Sequence, residues 1–362
     1  MTGTPGRPGV PTLGEFTAGQ LRRLCEVAHL DPEDARTYAD VLTRALGPEA
    51  GRRLDLPPSG RTFLSDDHTP VEYSLSFRPD GPPDLRVLLE PGCGTATLEE
   101  NGRAGLDVIH AMSRQWGFST TCLDKLEDLL LPPSPHGPLA LWCALELRPG
   151  GVPRVKVYLN PAANGADRAE ETVREALDRI GHHRAFEGLP RGDGYPFLAL
   201  DLGDWKQPRV KVYVRHPGLP AAAVGELSRM PAGPTAAVLR DFAATAAGTT
   251  GTDTRLAGLP VLSCHAFTDP AADRPSGFTL HVPVRDYARH DGEALERAVA
   301  LLAGHGMDPA PLLRALPSLT GRRPQDGVGL IAYLALAHQR GCPPRLTAYL
   351  SSEAYTVRPP TG

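Results

Sequence analysis

A fivefold repetition of predicted secondary structure is the feature of this 362-residue sequence that most constrains its fold. The hydrophobic periodicity predicts two helices followed by two strands, and this order returns along the whole chain. The second strands begin near residues 86, 154, 209, 279 and 345. Five similar units describe one closed object better than several independent domains, so we predict a single domain over residues 1–362.

The predicted elements follow from apolar spacing and from the Gly and Pro punctuation between them. The predicted helices are 17–30, 31–46, 101–116, 123–131, 167–181, 220–228, 234–247, 292–304 and 309–316. The predicted strands are 71–78, 85–90, 139–147, 154–160, 196–202, 209–215, 260–267, 278–284, 328–337 and 345–351. Thr17 and Gln20 have capping-box spacing and are predicted to begin the first helix. Residues 1–13 are predicted to be flexible.

Short, turn-rich connections join the two strands of each unit, which predicts antiparallel hairpins. Ten antiparallel strands can close into a barrel without a free edge, with the helices in an outer ring. The predicted fold class is therefore α+β, an αββα barrel of five helix-helix-strand-strand repeats. A barrel of ten strands is wider than the size of about eight that side chains fill, so its lumen could hold ligands.

Composition excludes several classes of protein. Lys and Arg number 38 and Asp and Glu 42, so the net charge of −4 predicts no general binding of nucleic acid or of an anionic membrane. Residues 1–12 lack the apolar core of a signal peptide, and no stretch approaches the roughly 18 apolar residues of a membrane span. The six cysteines form no CxxC pair, which indicates reduced thiols. We predict a cytoplasmic protein, either a monomer or a homodimer.

Residues 154–158 and 209–213 both read Arg-Val-Lys-Val-Tyr. Side chains alternate along a strand, so Arg, Lys and Tyr share one face and the valines share the other. One such strand alone is typical of an ordinary sheet with its polar face in water. The repetition favours a different interpretation, in which the valines pack against helices and the polar face lines the lumen.

A closed lumen would then bring several cations together, and they would repel one another without a multivalent anion. A diphosphate fits, because charge-assisted hydrogen bonds from Arg and Lys are strong. Tyrosines beside the charges could donate hydrogen bonds and stabilise a carbocation through their ring faces. An anion cradle next to an aromatic wall suggests ionisation of an allylic diphosphate. The candidate cations are Arg86, Arg154, Lys156, Arg209, Lys211, Arg345 and a protonated His281.

No metal cofactor is predicted to be required. Metal-dependent prenyl transfer needs paired Asp-rich motifs for magnesium, and Asp66-Asp67 lacks a third aspartate. Asp124, Glu127 and Asp128 have the spacing of a solvated helix face. Fixed protein cations would replace the metal.

Several motifs together resemble the dimethylallyltryptophan synthase-type aromatic prenyltransferases. They are 69–74, the strand ending in Glu90-Pro91-Gly92, the two Arg-Val-Lys-Val-Tyr strands, 281–287 and 349–352. The resemblance spans the chain and extends to bacterial members acting on tryptophan, including those that prenylate carbon 6 of the indole. It implies an αββα barrel, dimethylallyl diphosphate as donor, L-tryptophan or a derivative as acceptor, and no obligatory metal.

The resemblance also implies roles for individual residues. Glu72 matches the family's carboxylate, which accepts a hydrogen bond from the indole N–H. His281 stands where many fungal members have tyrosine, and its ionisation near pH 6.5 could make activity depend on pH. The diphosphate-binding residues are Arg86, Lys156, Arg209, Lys211, Arg345 and His281, and the cation-shielding residues are Tyr158, Tyr213 and Tyr349.

Two departures from the family concern the acceptor. Many fungal members that prenylate carbon 4 carry a lysine on the first strand of the second repeat, where this chain has Leu141-Trp142-Cys143-Ala144. Another proton acceptor is therefore implied: Glu72, pyrophosphate or water. Trp142 is predicted to form part of the acceptor pocket. The family's arginine for the amino-acid carboxylate has no clear match around 195–197.

Two alternatives remain open at this point. A noncatalytic barrel could bind a polyphosphate or nucleotide through the same cations. A related barrel family prenylates phenols or naphthalenes, and it generally lacks the Glu72-type anchor and the paired Arg-Val-Lys-Val-Tyr strands.

Overall fold

The chain folds around one closed β-barrel, described here in a computed structural model. The structure describes residues 9–203, 208–249 and 254–361. The strands in these ranges are β1 (Val71–Phe77), β2 (Asp84–Leu89), β3 (Leu141–Glu146), β4 (Arg154–Leu159), β5 (Leu198–Leu202), β6 (Val210–His216), β7 (Leu219–Pro220), β8 (Arg255–Leu256), β9 (Val261–Phe267), β10 (Gly277–Val282), β11 (Ile331–Gln339) and β12 (Arg345–Ser351).

Ten of these strands close the barrel in the order β1-β12-β11-β10-β9-β6-β5-β4-β3-β2. Every neighbouring pair is antiparallel. The two short strands β7 and β8 form a separate two-stranded sheet. The predicted barrel of ten antiparallel strands is confirmed.

The α-helices pack against the outside of the barrel. Within the described ranges, none of them is both long and apolar enough to cross a lipid bilayer. They are α1 (Leu13–Val27), α2 (Pro32–Leu46), α3 (Leu98–Trp116), α4 (Thr121–Asp124), α5 (Glu127–Leu130), α6 (Ala169–Arg179), α7 (Ala236–Ala247), α8 (Asp291–Gly304) and α9 (Ala310–Leu319).

The first helix begins earlier than the sequence predicts. Thr12 caps it: the Thr12 hydroxyl accepts a hydrogen bond from the Glu15 N–H, and the Glu15 carboxylate accepts one from the Thr12 N–H. Thr17 and Gln20, the predicted capping pair, are instead buried within α1. The predicted flexible segment 1–13 is therefore too long, because Thr12 and Leu13 belong to a capped helix. Residues 1–8 lie outside the described residues.

The repeats differ from one another mainly in their helices. The predicted helix 123–131 is two short helices, α4 and α5, because the turn between them lets Leu123, Leu126 and Leu130 all reach the core. In the third unit, the 3₁₀ turn Ala185–Gly188 takes the place of a second helix. In the fourth, the 3₁₀ helix Ala221–Glu226 replaces the predicted helix 220–228. The strand pairs are the constant part of each unit.

Strand alternation separates the two sides of the barrel wall. Val155, Val157, Val210 and Val212 are buried in the main core between the barrel and the helices, as predicted. The residues between them face the lumen. Burial of this outward apolar face against the helices fixes the strand register, because a slip of one residue would turn the valines inward.

Candidate active site

A cationic chamber of about 670 Å³ occupies one part of the lumen. Its wall carries six cationic side chains and two carboxylates. The excess of positive charge makes this chamber a site for a multivalent anion. The cations are Arg78, Arg86, Arg154, Lys156, Arg209 and Arg345, and the carboxylates are Glu146 and Asp201.

Glu146 lies on β3 directly between two arginines of the neighbouring strands. It pairs in register with Arg86 on β2 and with Arg154 on β4. Arg86 Nη2 lies 2.7 Å from one Glu146 oxygen, and Arg154 Nη1 lies 3.2 Å from the other. Burial opposes ionisation of Glu146, but these cations, Arg86 foremost, lower its pKa to about 2. Glu146 is therefore an anion at neutral pH.

Asp201 on β5 likewise lies between cations of the two neighbouring strands, Lys156 on β4 and Arg209 just before β6. Its Oδ1 lies 3.1 Å from Lys156 Nζ on β4, and its other oxygen accepts a hydrogen bond of 2.5 Å from Arg209 Nε. Burial raises the pKa of Asp201, but Lys156, Lys211 and Arg209 together hold that pKa well below its usual range. Asp201 and Glu146 therefore neutralise part of the lumenal positive charge, which reduces the repulsion that the sequence predicted among the cations.

Lys211 and Arg345 differ from the other cations. Within the described residues, neither makes an ion pair. Burial lowers the pKa of Lys211 well below its usual value, and Lys156 and Arg209 lower it further. Burial, with Arg86 beside it, lowers the pKa of Arg345 to about 10. Arg345 lines the cationic chamber, whereas Lys211 is not among the described residues that line either chamber and acts from beside Lys156 and Arg209.

A second, aromatic chamber of about 110 Å³ adjoins the cationic one. Tyr158 lines both chambers. The ring centroids of Tyr158 and Tyr213 are 5.9 Å apart, and Phe197 packs edge-on against both. The chain of rings continues through His281 to Tyr349. The three predicted shielding tyrosines are thus brought together in one layer, whose chamber is lined by Phe63, Leu64, Glu72, Leu88, Trp142, Tyr158, Phe197, Tyr213, Leu262, His281, Arg285, Tyr333 and Tyr349.

His281 belongs to the aromatic chamber, and its predicted positive charge is wrong. Burial lowers the pKa of His281 to about 3, and the cationic Lys211 contributes. Its Nε2 lies 3.3 Å from the Tyr349 hydroxyl. A neutral imidazole can still donate one hydrogen bond, but its titration does not fall near pH 6.5.

Glu72 projects into the aromatic chamber from β1. The residue is 5% exposed, and within the described part of the chain its carboxylate makes no ion pair or hydrogen bond. Burial raises the pKa of Glu72 to about 8, while the neighbouring Arg285 guanidinium opposes this rise. A carboxylate with this pKa, next to an aromatic cavity, is suited to accept a hydrogen bond or a proton from a ring N–H.

Arg285 and Tyr333 also line this chamber, and the sequence did not single them out. The Arg285 guanidinium stacks 4.8 Å from the centroid of the Tyr333 ring, and its Nε lies 3.2 Å from Asp66 Oδ1. Arg285 is itself largely buried. Strand alternation does not reveal it, because Arg285 lies in the 3₁₀ turn Val284–Asp286 after the end of β10.

Trp142, the residue predicted for the acceptor pocket, lines the aromatic chamber. Its indole Nε1 donates a hydrogen bond of 2.9 Å to Glu90, which also accepts hydrogen bonds from Thr62 and Asn101. The Trp142 ring packs 5.2 Å from Phe197. Glu90 therefore fixes the orientation of Trp142 in the chamber wall.

The described residues contain no group of three or more His, Cys, Asp or Glu side chains placed to hold a metal ion. The only carboxylates in the cationic chamber wall, among the residues described, are Glu146 and Asp201, and both already bind cationic side chains.

The geometry can be compared with known proteins at this point. Residues 15–230 match the family model described as tryptophan dimethylallyltransferase. The chain belongs to this family. The protein is therefore an aromatic prenyltransferase of the dimethylallyltryptophan synthase type, and the recognition made from the sequence motifs is confirmed. Membership of the tryptophan dimethylallyltransferase family argues against both alternatives, the noncatalytic barrel and the phenol or naphthalene prenyltransferase.

Three solved structures of tryptophan dimethylallyltransferases illustrate the similarity. The prenyltransferase PriB, in a ternary complex with L-tryptophan and dimethylallyl thiolodiphosphate, is 63% identical with a TM-score of 0.95, over 97% of this chain and 99% of that one. The 5-dimethylallyl tryptophan synthase of Streptomyces coelicolor, in complex with DMASPP and Trp, is 64% identical with a TM-score of 0.94, over 98% and 99%. The 6-dimethylallyltryptophan synthase of Micromonospora olivasterospora is 38% identical with a TM-score of 0.89, over 96% and 99%.

Proposed function

We propose that this enzyme transfers the dimethylallyl group of dimethylallyl diphosphate to the indole ring of L-tryptophan or a close derivative, without a metal ion. The observation that carries the proposal is the adjoining pair of chambers, one cationic and one aromatic, with Tyr158 in the wall of both. The complexes of PriB and of the Streptomyces coelicolor enzyme with tryptophan and a thio analogue of the donor support it.

The cationic chamber would hold the diphosphate of the donor. The bond between the allylic carbon and the diphosphate oxygen breaks, and its electron pair leaves with pyrophosphate. Fixed cations stabilise the charge that develops on this leaving group. The residues in this role are Arg86, Lys156, Arg209, Lys211 and Arg345, with neutral His281 as a hydrogen-bond donor near the tyrosines.

The aromatic chamber would hold the acceptor and the allylic cation. Glu72 accepts the indole N–H and orients the ring, and a ring carbon attacks the cation to form the new carbon–carbon bond. The attacked carbon then loses its proton. β3 presents Trp142 and Ala144 to the lumen and no lysine, so Glu72, pyrophosphate or water takes this proton.

We propose carbon 6 as the site of attachment, as the resemblance of the sequence implies. The name of the Streptomyces coelicolor relative specifies carbon 5, which makes carbon 5 the alternative. Both carbons lie on the benzo ring, away from the amino-acid side chain. Both products show one isolated ring proton and two coupled ones, so the assignment by NMR uses a nuclear Overhauser effect from the isolated proton to the CH2 of the amino-acid side chain. This effect is expected for carbon 5, where the isolated proton is H4, and not for carbon 6, where it is H7.

The deciding experiment is incubation with dimethylallyl diphosphate and L-tryptophan in EDTA. The expected product is tryptophan heavier by one dimethylallyl group, formed at the same rate with and without added magnesium. Product formed only with magnesium would refute metal independence. Pyrophosphate binding without turnover of any indole would refute the enzymatic proposal.

Tyr213 carries a prediction about the shielding of the cation. Replacing it with Ala removes a ring from the layer that separates the cation from water, and a ring face stabilises a cation by about 0.5–2 kcal/mol. We expect Tyr213→Ala to release roughly tenfold more dimethylallyl alcohol per molecule of prenylated product, measured by chromatography. Tyr213→Phe keeps the ring and should remain close to the wild type. An unchanged ratio in Tyr213→Ala would exclude a shielding role.

Arg285 carries a prediction about the acceptor's amino-acid part. Its buried guanidinium is the cation of the aromatic chamber wall among the described residues, so we propose that it binds the tryptophan carboxylate. A hydrogen bond to a charged group contributes about 1.5–3 kcal/mol. Arg285→Leu should therefore lower kcat/KM for tryptophan roughly 10- to 100-fold more than kcat/KM for 3-methylindole. The comparison of two acceptors cancels any effect through Glu72, which acts on both. Equal losses would show that Arg285 does not bind the carboxylate.

A further inference from the structure

Asp201 occupies a distinctive place in the cationic chamber. On β5 it stands opposite Lys156 of β4, and its backbone N–H donates to the Arg209 carbonyl at the start of β6. Its carboxylate contacts both Lys156 and Arg209. Lys211 follows Arg209 by two residues on the same face, opposite Ala199 and Ala266. Asp201 thus sits among three cations, two of which are lysines.

Lysines and arginines respond differently to crowding of positive charge. Arginine keeps its proton in proteins, whereas a buried lysine can lose its charge by releasing a proton. Burial already lowers the pKa of Lys211 well below its usual value, and Lys156 and Arg209 lower it further, while Asp201 raises it. Without the Asp201 charge, Lys211 would release its proton at a lower pH.

We propose that Asp201 is a positioning residue: its carboxylate aligns Lys156 and Arg209 through two ion pairs and supports the positive charge of Lys211 before the donor binds. The diphosphate of the donor then meets charged groups without waiting for proton uptake. This inference rests on the proposed function, because it assumes that these three side chains bind the diphosphate. It goes beyond that function in assigning a role to a carboxylate that would itself repel the donor.

Among the described residues, Asp201 is the carboxylate that raises the pKa of Lys211. Burial raises the pKa values of Cys264, Tyr213 and Tyr349 and lowers that of His281, so all four are neutral. Among the described residues, the titratable and charged groups that face this part of the lumen are Arg78 after β1, Arg86 on β2, Glu146 on β3, Arg154, Lys156 and Tyr158 on β4, Asp201 on β5, Arg209 before β6, Tyr213 on β6, Cys264 on β9, His281 on β10, and Arg345 and Tyr349 on β12.

Glu146 provides a matched control. It has the same relation to its neighbours as Asp201, lying between one cation of β2 and one of β4. Its partners Arg86 and Arg154 are both arginines. Loss of the Glu146 charge therefore leaves two arginines without their ion-pair partner, while Lys156, whose charge also acts on Glu146, keeps its ion pair with Asp201.

The test measures binding of inorganic pyrophosphate by calorimetry at several values between pH 6.5 and 9.0. Each variant is expressed as a ratio to the wild type at the same pH, which cancels the titration of pyrophosphate itself. We expect Asp201→Asn to bind at least as tightly as the wild type at pH 6.5, because a repelling charge is gone. Its relative affinity should then fall, by about tenfold over the whole pH range measured, because Lys211 releases its proton more readily without the Asp201 charge. The ratio for Glu146→Gln should stay constant over this range.

A second substitution examines the cause directly. Adding Lys211→Arg to Asp201→Asn supplies a cation that does not titrate, and it should restore a constant ratio. Asp201→Ser removes the same charge and replaces Asp201→Asn if that variant does not fold. A constant ratio in the Asp201 variants, or an equal decline in Glu146→Gln, would overturn the inference.

The binding measurement separates this inference from the proposed function. If the pH-dependent decline and its rescue are seen but no indole is prenylated, the proposed function fails and the role of Asp201 stands. If tryptophan is prenylated but the decline is missing, the proposed function stands and the role of Asp201 fails.

Discussion

Replacement of Glu72 by Gln is expected to lower kcat/KM for tryptophan by about 100- to 1,000-fold while pyrophosphate binding stays within about twofold of the wild type. The amide has the shape of the carboxylate but lacks the negative charge that polarises the indole N–H. Steady-state kinetics with varied tryptophan measure the first quantity, and calorimetry with pyrophosphate measures the second. Loss of pyrophosphate binding would instead indicate that Glu72 acts on the cationic chamber.

The pH dependence of the wild type follows from the same residue. Burial raises the pKa of Glu72 to about 8. The ionised form is the one that accepts the indole N–H, so kcat/KM should rise about tenfold per pH unit below 8 and level off above it. Glu72→Gln should lose this inflection. A wild-type profile that is flat between pH 6 and 9 would contradict the assignment.

Glu72→Gln should lower activity but raise the stability of the fold at high pH. A carboxyl whose pKa is raised in the folded state stabilises the fold at low pH and loses this contribution as the pH rises through 8. The buried charge then costs the wild type on the order of 5 kcal/mol of unfolding free energy. At pH 8.5 the variant should melt at a higher temperature than the wild type, and the difference should shrink near pH 5. A lower melting temperature of the variant than of the wild type at pH 8.5 would mean that the buried Glu72 charge does not destabilise the fold.

Replacement of Lys211 by Met is expected to lower kcat/KM for the donor by about 100- to 1,000-fold. Loss of one preorganised group that stabilises developing charge typically has an effect of this size. Among the described residues Lys211 makes no ion pair, and it acts beside Lys156 and Arg209, which line the cationic chamber. Kinetics with varied dimethylallyl diphosphate at saturating tryptophan measure the effect.

Arg154→Met is the matched control for Lys211→Met. Arg154 belongs to the same duplicated motif, but its side chain is 55% exposed at the rim and bound to Glu146. Solvent screens such a charge, so we expect a loss of less than about fivefold. Equal losses in the two variants would mean that total charge, and not position in the lumen, determines donor turnover.

The barrel and most of its lumenal cations could be predicted because of one repeated pattern. The second strands carry alternating polar and valine residues, and 154–158 and 209–213 are identical in sequence. A period of two assigns faces without any knowledge of distant contacts. The tyrosines follow the same rule, and Tyr158 and Tyr213 do lie together in the lumen.

The counter-charges Glu146 and Asp201 could not be found in this way. On β3 and β5, the first strands of their hairpins, the lumenal and the outward residues are both largely apolar, so the two faces cannot be told apart from the sequence. On β3 the lumenal residues before Glu146 are Trp142 and Ala144, which are apolar like their outward neighbours. The strand therefore reads as a continuous hydrophobic run with one carboxylate at its end. Asp201 has a similar place on β5, after Ala199. Matching the first strands against the second strands in register would have brought both carboxylates next to the cations.

Other differences depend on the tertiary structure itself. Arg285 lies in the 3₁₀ turn Val284–Asp286, just after β10, where strand alternation no longer applies. The charge of His281 depends on how deeply the ring is buried and on Lys211 nearby, and neither can be derived from local sequence. The predicted start of α1 is too late because Thr17 and Gln20 have the same capping-box spacing as Thr12 and Glu15, which form the actual cap.

The pairing of the first barrel strand with the last has a consequence for synthesis of the chain. β1 pairs with β12 from Glu72 opposite Ser351 to Phe77 opposite Leu346, and Gln20 of α1 donates to the carbonyl of Ser352. A ribosome adds about 5–20 residues per second, so β1 emerges roughly 15–55 s before its final partner. During that interval one strand edge of the nascent chain is open and able to pair with other chains. Productive folding in the cell therefore depends on protecting this edge until the last repeat has been made.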